Sequence, residues 1–149
     1  MHSLYDINTR NEIVHRLEHL KANATPLWGK MQVNQMLAHC SLGLEMARGL
    51  IRPRRSFMGR ILGRFFRPQY SNEIPFGKNI PTAPELLPTD VMAFQEIKNE
   101  LVMHIKAFQT DGPGGCTDHP HPFFGPLTPE EWGIGMYKHL DHHFRQFGI

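Results

Sequence analysis

Thr128-Pro129-Glu130-Glu131-Trp132-Gly133-Ile134-Gly135-Met136-Tyr137-Lys138-His139-Leu140-Asp141-His142-His143 is a helix with its start written into it. Thr128 is an N-cap, Pro129 sits where its missing N–H costs nothing, and Glu131 closes a capping box. At about 100° per residue, Trp132, Met136, Leu140 and Phe147 make the apolar centre of this helix. His139 and His143 fall about 40° apart on that same face. His142 points off to the side, and Lys138, Asp141 and Arg145 point away. A solvated helix scatters its histidines outward, whereas two imidazoles at i and i+4 on a buried stripe can chelate one ion.

Three more segments show helical periodicity, and none shows a strand pattern. The first opens at Thr9 with Glu12 three residues on, and buries Ile13, Val14, Leu17 and Leu20. His15 and His19 fall on its outer face and read as solvated. The second runs from about Val33 to Gly49, with Asn34, Ser41, Glu45 and Arg48 as its polar edge. His39 lies inside its broad apolar arc. The third, from about Thr89 to Gln109, buries Val91, Phe94, Ile97, Leu101, Val102, Ile105 and Phe108, with His104 at its edge.

Two long connections separate these helices. Leu50 to Pro88 is rich in proline and holds a candidate short helix, Ser56 to Phe66, with Phe57, Ile61, Leu62 and Phe65 on one side. Asp111 to Leu127 carries Gly112-Pro113-Gly114-Gly115-Cys116 and then His119-Pro120-His121-Pro122. Loops of this length serve as lids or as packed segments.

A chain of 149 residues with a formal charge of +2 is expected to be one domain with a core of its own. Two cysteines, Cys40 and Cys116, make no disulfide framework and suggest a reducing compartment. Met1-His2-Ser3-Leu4-Tyr5-Asp6 lacks the basic n-region and apolar run of a secretory signal. No apolar stretch approaches the roughly 20 residues that span a bilayer. A cytoplasmic protein with no transmembrane segment is the expectation.

Four amphipathic helices imply an all-α, antiparallel four-helix bundle, whose interior commonly houses metal sites. In such a bundle His39, His139 and His143 project inward together. Burying unpaired imidazoles is costly, and a divalent cation removes the cost by taking their lone pairs. Three neutral nitrogens leave positions for water or substrate, as in catalytic sites. The competing reading is that these histidines merely hydrogen-bond inside the bundle.

Other metal classes fail on spacing. Glu12-Ile13-Val14-His15 is the only Glu-x-x-His and faces outward, so no ferritin-like di-iron site is present. There is no His-Glu-x-x-His. Cys116-Thr117-Asp118-His119 lacks the second pair of a zinc knuckle. Cys40 reads as a small core residue and Cys116 as the more accessible thiol. His121, between prolines, either reaches a site mouth or caps a turn. No nucleophile elbow, P-loop or dinucleotide fingerprint occurs, and no catalytic residue beyond the metal ligands is named.

Trp28-Gly29-Lys30-Met31, Met36-Leu37-Ala38-His39, His121-Pro122-Phe123-Phe124-Gly125, Leu127-Thr128-Pro129-Glu130-Glu131-Trp132 and Tyr137-Lys138-His139-Leu140-Asp141-His142-His143 together resemble an uncharacterised bacterial branch of the DinB-like superfamily. The resemblance covers most of the chain. It implies a single DinB-like domain over 1–149, a bundle in up-down-down-up order, and a long crossover between helices two and three. It also implies a metal triad of one histidine on the second helix and a His-x-x-x-His pair on the last, here His39, His139 and His143. Zinc or nickel is the implied ion. A low-molecular-weight thiol is an implied co-substrate, activated by the metal as a nucleophile. The implied activity is a metal-dependent thiol transferase, isomerase or hydrolase of unknown small-molecule substrate, and dimerisation follows by analogy only. His142 is the alternative to His143 if the helix rotates.

Arg48, Arg52, Arg54, Arg55, Arg60, Arg64 and Arg67 form a run with no acid between them, interleaved with the apolar residues of the short candidate helix. Such a segment lies on anionic membranes, recognises acidic ligands, or is a solvated flank. One short basic helix is a weak nucleic-acid signal. The second functional reading is therefore a non-catalytic metal-binding bundle that acts as a binding module through its arginines.

Overall fold

The structure, a computed structural model, describes residues 1–149 and is all-helical. Five α-helices run α1 (Ile7–Glu18), α2 (Val33–Ala47), α3 (Phe57–Ser71), α4 (Phe94–Asp111) and α5 (Pro129–Gln146). Two short 3-10 turns, Pro84–Leu86 and Pro113–Gly115, lie in the connections, and an isolated bridge pairs His121 with Gly125. No helix is long and apolar enough to cross a membrane. Helix α2 packs against α4 and α5, and α1 packs against the same two. One apolar cluster joins the four, with Ile13, Leu17, Met36, Leu44, Leu101, Phe108, Trp132 and Leu140 fully buried.

Helix α5 starts as its sequence dictates, with the Thr128 hydroxyl accepting from the Glu131 N–H while the Glu131 carboxylate accepts from the Thr128 N–H. Its outer face is less exposed than periodicity implies. Lys138 and Asp141 are buried, because neighbours cover them. The Lys138 ammonium donates to the Gln69 carbonyl and to Asn72 Oδ1 at the end of α3. Asp141 accepts from Arg16 of α1 at 2.8 Å and also pairs with Arg145. Arg145 itself stays exposed.

The other helices depart from expectation mainly at their ends. Helix α1 is capped by Asp6, whose Oδ1 accepts from the Thr9 N–H at 2.8 Å, so it begins a turn before Thr9 and the Thr9–Glu12 box does not form. Asp is as good a cap as Thr and stands where the turn actually begins. Helix α4 begins at Phe94, which leaves Val91 outside it and 37 % exposed. Ser41, read as part of the polar edge of α2, is buried, and its hydroxyl has no partner.

Helix α3 is longer than its sequence suggests, continuing through Pro68 to Ser71 behind a Ser56 cap. It is held to α5 by Arg67, which forks onto both Glu131 oxygens at 2.8 and 2.6 Å. Tyr70 completes the contact, buried among Phe124, His121 and Trp132. Its ring lies directly on Gly135, where an added Cβ would overlap the aromatic carbons.

Gly135→Ala is therefore expected to destabilise the protein by about 1–3 kcal/mol through overpacking, despite the better helix propensity of alanine. Gly114→Ala, where an added Cβ meets nothing within 4 Å, leaves the Tm unchanged. Thermal melts of the two variants side by side check this, and equal melting would mean that Tyr70 is free to move.

Candidate metal centre

Three histidines from two helices meet in the core. His39 comes from the apolar arc of α2, and His139 and His143 come from successive turns of α5. Their ring centroids lie 4.7 Å (His39–His139), 4.8 Å (His39–His143) and 4.8 Å (His139–His143) apart, each pair edge-on. Nitrogens from all three fall within 4.8 Å of one another. His39 and His143 are buried, and His139 is half-buried. Gly43, one turn beyond His39 on α2, makes room for the His139 ring, since a Cβ there would sit 3.1 Å from its Cε1.

Hydrogen bonds behind the rings decide the tautomers. His39 Nδ1 lies 2.8 Å from the Leu86 carbonyl oxygen, which can only accept, so Nδ1 carries the proton and Nε2 presents a lone pair. His143 Nδ1 lies 2.8 Å from Gln146 Oε1. The same glutamine donates through Nε2 to the Trp28 carbonyl at 2.8 Å, which fixes its oxygen toward His143. His143 is therefore also an Nδ1–H tautomer with Nε2 free. His139 Nε2 stands 2.8 Å from His39 Nε2, and His139 Nδ1 has no partner.

Burial pushes all three imidazoles below the usual histidine range. For His39 the Leu86 carbonyl opposes that push. For His139 the neighbouring histidines deepen it, and for His143 burial and then His39 bring it to about 3. The triad is neutral at neutral pH, the form that ligates metals.

A hydrogen-bonded triad does not account for every lone pair. If His139 donates from Nε2 to His39, its own Nδ1 lone pair is left buried with no partner. Three neutral imidazoles with ring nitrogens within 4.8 Å of one another, two of them locked as Nδ1–H tautomers, are a donor set that fits a divalent ion.

His142 stands outside this group. Its ring packs edge-on against Trp28 and Phe76 and lines an open cleft of about 420 Å³, together with Lys78, Tyr137, Lys138 and Arg145. Burial lowers the Lys138 pKa to about 8. The cleft nears the triad through His142, whose ring centroid is 5.2 Å from that of His143.

The remaining polar candidates have structural work. His121 Nδ1 accepts from the Phe123 and Phe124 N–H groups, capping the turn between them. Burial, then the nearby Arg55, lowers its pKa to about 3. His119 Nε2 turns to the Pro53 carbonyl, away from Cys116, whose sulfur instead meets the Tyr5 hydroxyl. The Asp111–Leu127 connection is thus a packed segment. His104 is buried and pairs through Nε2 with Glu45 at 3.3 Å and Glu100 at 3.8 Å, joining α2 to α4. His15 and His19 are exposed, as their placement implies. Leu86, Gln146 and Gly43 were not picked out from sequence. Gln146 at i+3 from His143 and Gly43 at i+4 from His39 did carry a signal, but a backbone carbonyl from a distant loop carries none.

The family model described as "Protein of unknown function (DUF1569)" matches residues 2–148. The chain belongs to the DUF1569 family. Comparison with curated proteins and with solved structures finds no match. The match spans both triad-bearing helices, so in this DUF1569 protein the three histidines lie within the family's own extent.

The histidines also set a pH dependence. His121 and His143 titrate near 3 in the folded chain and near 6.5 when unfolded. Above pH about 6.5 both states leave them neutral; below it the unfolded chain binds protons that the folded chain refuses. In chelator-treated protein, stability is expected to fall from about pH 6.5 downward, by up to about 1.4 kcal/mol per pH unit for each such histidine. Urea unfolding between pH 7 and 5 checks it. His121→Asn, which keeps an acceptor for the turn but does not titrate, should flatten the slope, and an unchanged slope would clear His121 of any part in it.

Proposed function

We propose that the chain is one DinB-like domain over residues 1–149 and that His39, His139 and His143 hold a single divalent ion, zinc or nickel. The carrying observation is the pair of Nδ1 locks, Leu86 on His39 and Gln146 on His143, which leave Nε2 of both rings free to ligate beside a third imidazole whose own Nε2 lies 2.8 Å from that of His39. A metal-ligating histidine characteristically donates its other N–H in this way. Contacts at the helix ends support an antiparallel bundle in up-down-down-up order, with the chain between α2 and α4 as its crossover. Helix α1 runs with α5 (Leu4 to Gly133, Arg16 to Asp141) and against α4 (Tyr5 to Gln109, Glu18 to Lys98). Helix α2 runs with α4 (Glu45 to His104, Arg48 to Asp111) and against α5 (His39 to His143, Gly43 to His139). Imidazole donors suit zinc and nickel alike.

The activity best supported is metal-dependent transfer, isomerisation or hydrolysis with an activated low-molecular-weight thiol or water. A divalent ion on three neutral nitrogens, when bound, lowers the pKa of such a nucleophile and leaves coordination positions open. The chain's own contribution is placement and exclusion. Leu86 and Gln146 hold ring orientation, Gly43 clears the space His139 needs, and the buried side chains of α2 and α5 keep water from the back of the site. The cleft beside His142 is walled by Trp28 and Phe76, with the Lys78 and Lys138 ammonium groups stacked on those rings, so a small substrate entering it would meet a cationic lining. Two free cysteines, one buried and one half-buried, suit a reducing cytoplasm.

Elemental analysis of purified protein is expected to find about one zinc or nickel per chain, the capacity of a single three-nitrogen site. His39→Ala, His139→Ala and His143→Ala each abolish it, whereas His142→Ala retains it. Gln146→Leu, which leaves the ligands intact but frees His143 Nδ1, weakens affinity by about 10–100-fold. Protein that carries no metal and takes up neither ion would end this reading. In cobalt-loaded protein, a new thiolate absorption band on adding a small thiol supports the thiol-dependent chemistry, and an unchanged spectrum excludes it in favour of water.

A further inference from the structure

Helix α3 is amphipathic, but its apolar side faces away from the protein. Its buried positions are Gly59, Gly63 and Tyr70. At both glycines an added Cβ would run into the backbone of Pro122 and Phe123, so the helix rests on that segment backbone to backbone. The opposite face carries Phe57 (75 % exposed), Met58 (53 %), Ile61 (49 %) and Phe65 (63 %). Phe57, Ile61 and Phe65 follow one another at i+4 and form a continuous stripe.

Arginines flank that stripe. Arg60 and Arg64 stand on one side of it, and Arg52 and Arg54 precede the helix, all four exposed and none in an ion pair with a carboxylate. Their neighbours are otherwise engaged: Arg48 pairs with Asp111, Arg67 with Glu131, and Arg55 donates to the Gly59 carbonyl. No acidic residue occurs between Glu45 and Glu73. A second copy of this helix would bring arginines and no carboxylate to meet them. Nucleic acid would engage the arginines but leave the apolar stripe in water. A bilayer surface with anionic headgroups meets both halves of the pattern at once.

We propose that α3 docks the protein on anionic phospholipid membranes, with Phe57, Met58, Ile61 and Phe65 entering the headgroup–acyl boundary and Arg52, Arg54, Arg60 and Arg64 on the phosphates. A monotopic helix of this kind needs no spanning segment. Because α3 is clamped to α5 through Tyr70 and Arg67, docking holds α5 and its histidines at a fixed distance from the surface.

The test is co-sedimentation of the full chain with phosphatidylcholine vesicles, with or without phosphatidylserine, at low and at physiological salt. The wild type is expected to pellet only with the anionic vesicles, and less at higher salt as screening grows. Arg60→Gln/Arg64→Gln should lose about tenfold or more in affinity, from roughly fivefold for each arginine near an anionic surface. Phe57→Ser/Phe65→Ser should abolish binding even at low salt, with helix content and metal content unchanged because both rings are solvent-exposed. Failure to bind anionic vesicles, or binding indifferent to the Phe57→Ser/Phe65→Ser pair, overturns the proposal. So does a dimer by sedimentation velocity that this pair dissociates, or a salt-sensitive preference for single- or double-stranded nucleic acid over vesicles. None of these outcomes touches the metal assignment, which stands or falls on metal content.

Discussion

A histidine buried in an apolar core must place two nitrogens, one that carries a proton and one that offers a lone pair. In this chain the proton-bearing nitrogen of His39 is held by the Leu86 carbonyl and that of His143 by Gln146. That leaves Nε2 of both rings without a proton, and for His39 it stands 2.8 Å from Nε2 of His139. Much of the surrounding structure serves this constraint. The Pro84–Leu86 turn must come back onto α2, Gln146 must be steadied by the Trp28 carbonyl, and α2 must approach α5 closely enough that Gly43 faces an imidazole. Burial alone costs such a group several kcal/mol if it is left unpaired. The arrangement is therefore intelligible as one prepared for a cation.

The polar links between helices follow a related logic. Asp141 reaches across to Arg16, His104 to Glu45, and Lys138 to Gln69 and Asn72. Each ties α5 or α4 to a neighbour at a point where a charged or polar side chain would otherwise be buried alone. The Arg67–Glu131 fork has a double role, because the same carboxylate caps α5. Removing it would loosen α3 and fray the first turn of the histidine-bearing helix together. The family match over residues 2–148 covers these links as well as the triad.

Much of this was legible in the residues, and the illegible part has a common cause. Helical periodicity found α1, α2, α4 and α5 and placed His39, His139 and His143 on inward faces, because a side chain's angle around its own helix depends only on sequence spacing. What surrounds that face does not. Sequence spacing points Asp141 and Lys138 away from the apolar stripe of α5 and says nothing of what covers them. Only tertiary packing brings Arg16 and the end of α3 over them. Leu86 was invisible for the same reason: a backbone carbonyl serves any residue type, so no side chain marks it as the partner of His39. Boundaries shifted where two caps competed, as at Asp6 and Thr9.

Helix α3 shows where sequence pattern stops: its amphipathicity is evident in the residues, and its orientation is not decided by that pattern. Amphipathicity says which side of a helix is apolar, and does not say whether protein or solvent lies there. In a bundle helix the large apolar side chains fill space between neighbours. Here Gly59 and Gly63, at i and i+4 opposite the apolar stripe, let the backbone of 122–123 come too close for any side chain to fit between. Once the small face makes the contact, the large face must point outward. The spacing of two glycines thus bears on orientation more than the phenylalanines do, and it makes the exposed stripe a built feature of the fold. A protein that exposes such a stripe beside unpaired arginines has left its hydrophobic and electrostatic demands to be met by something outside itself.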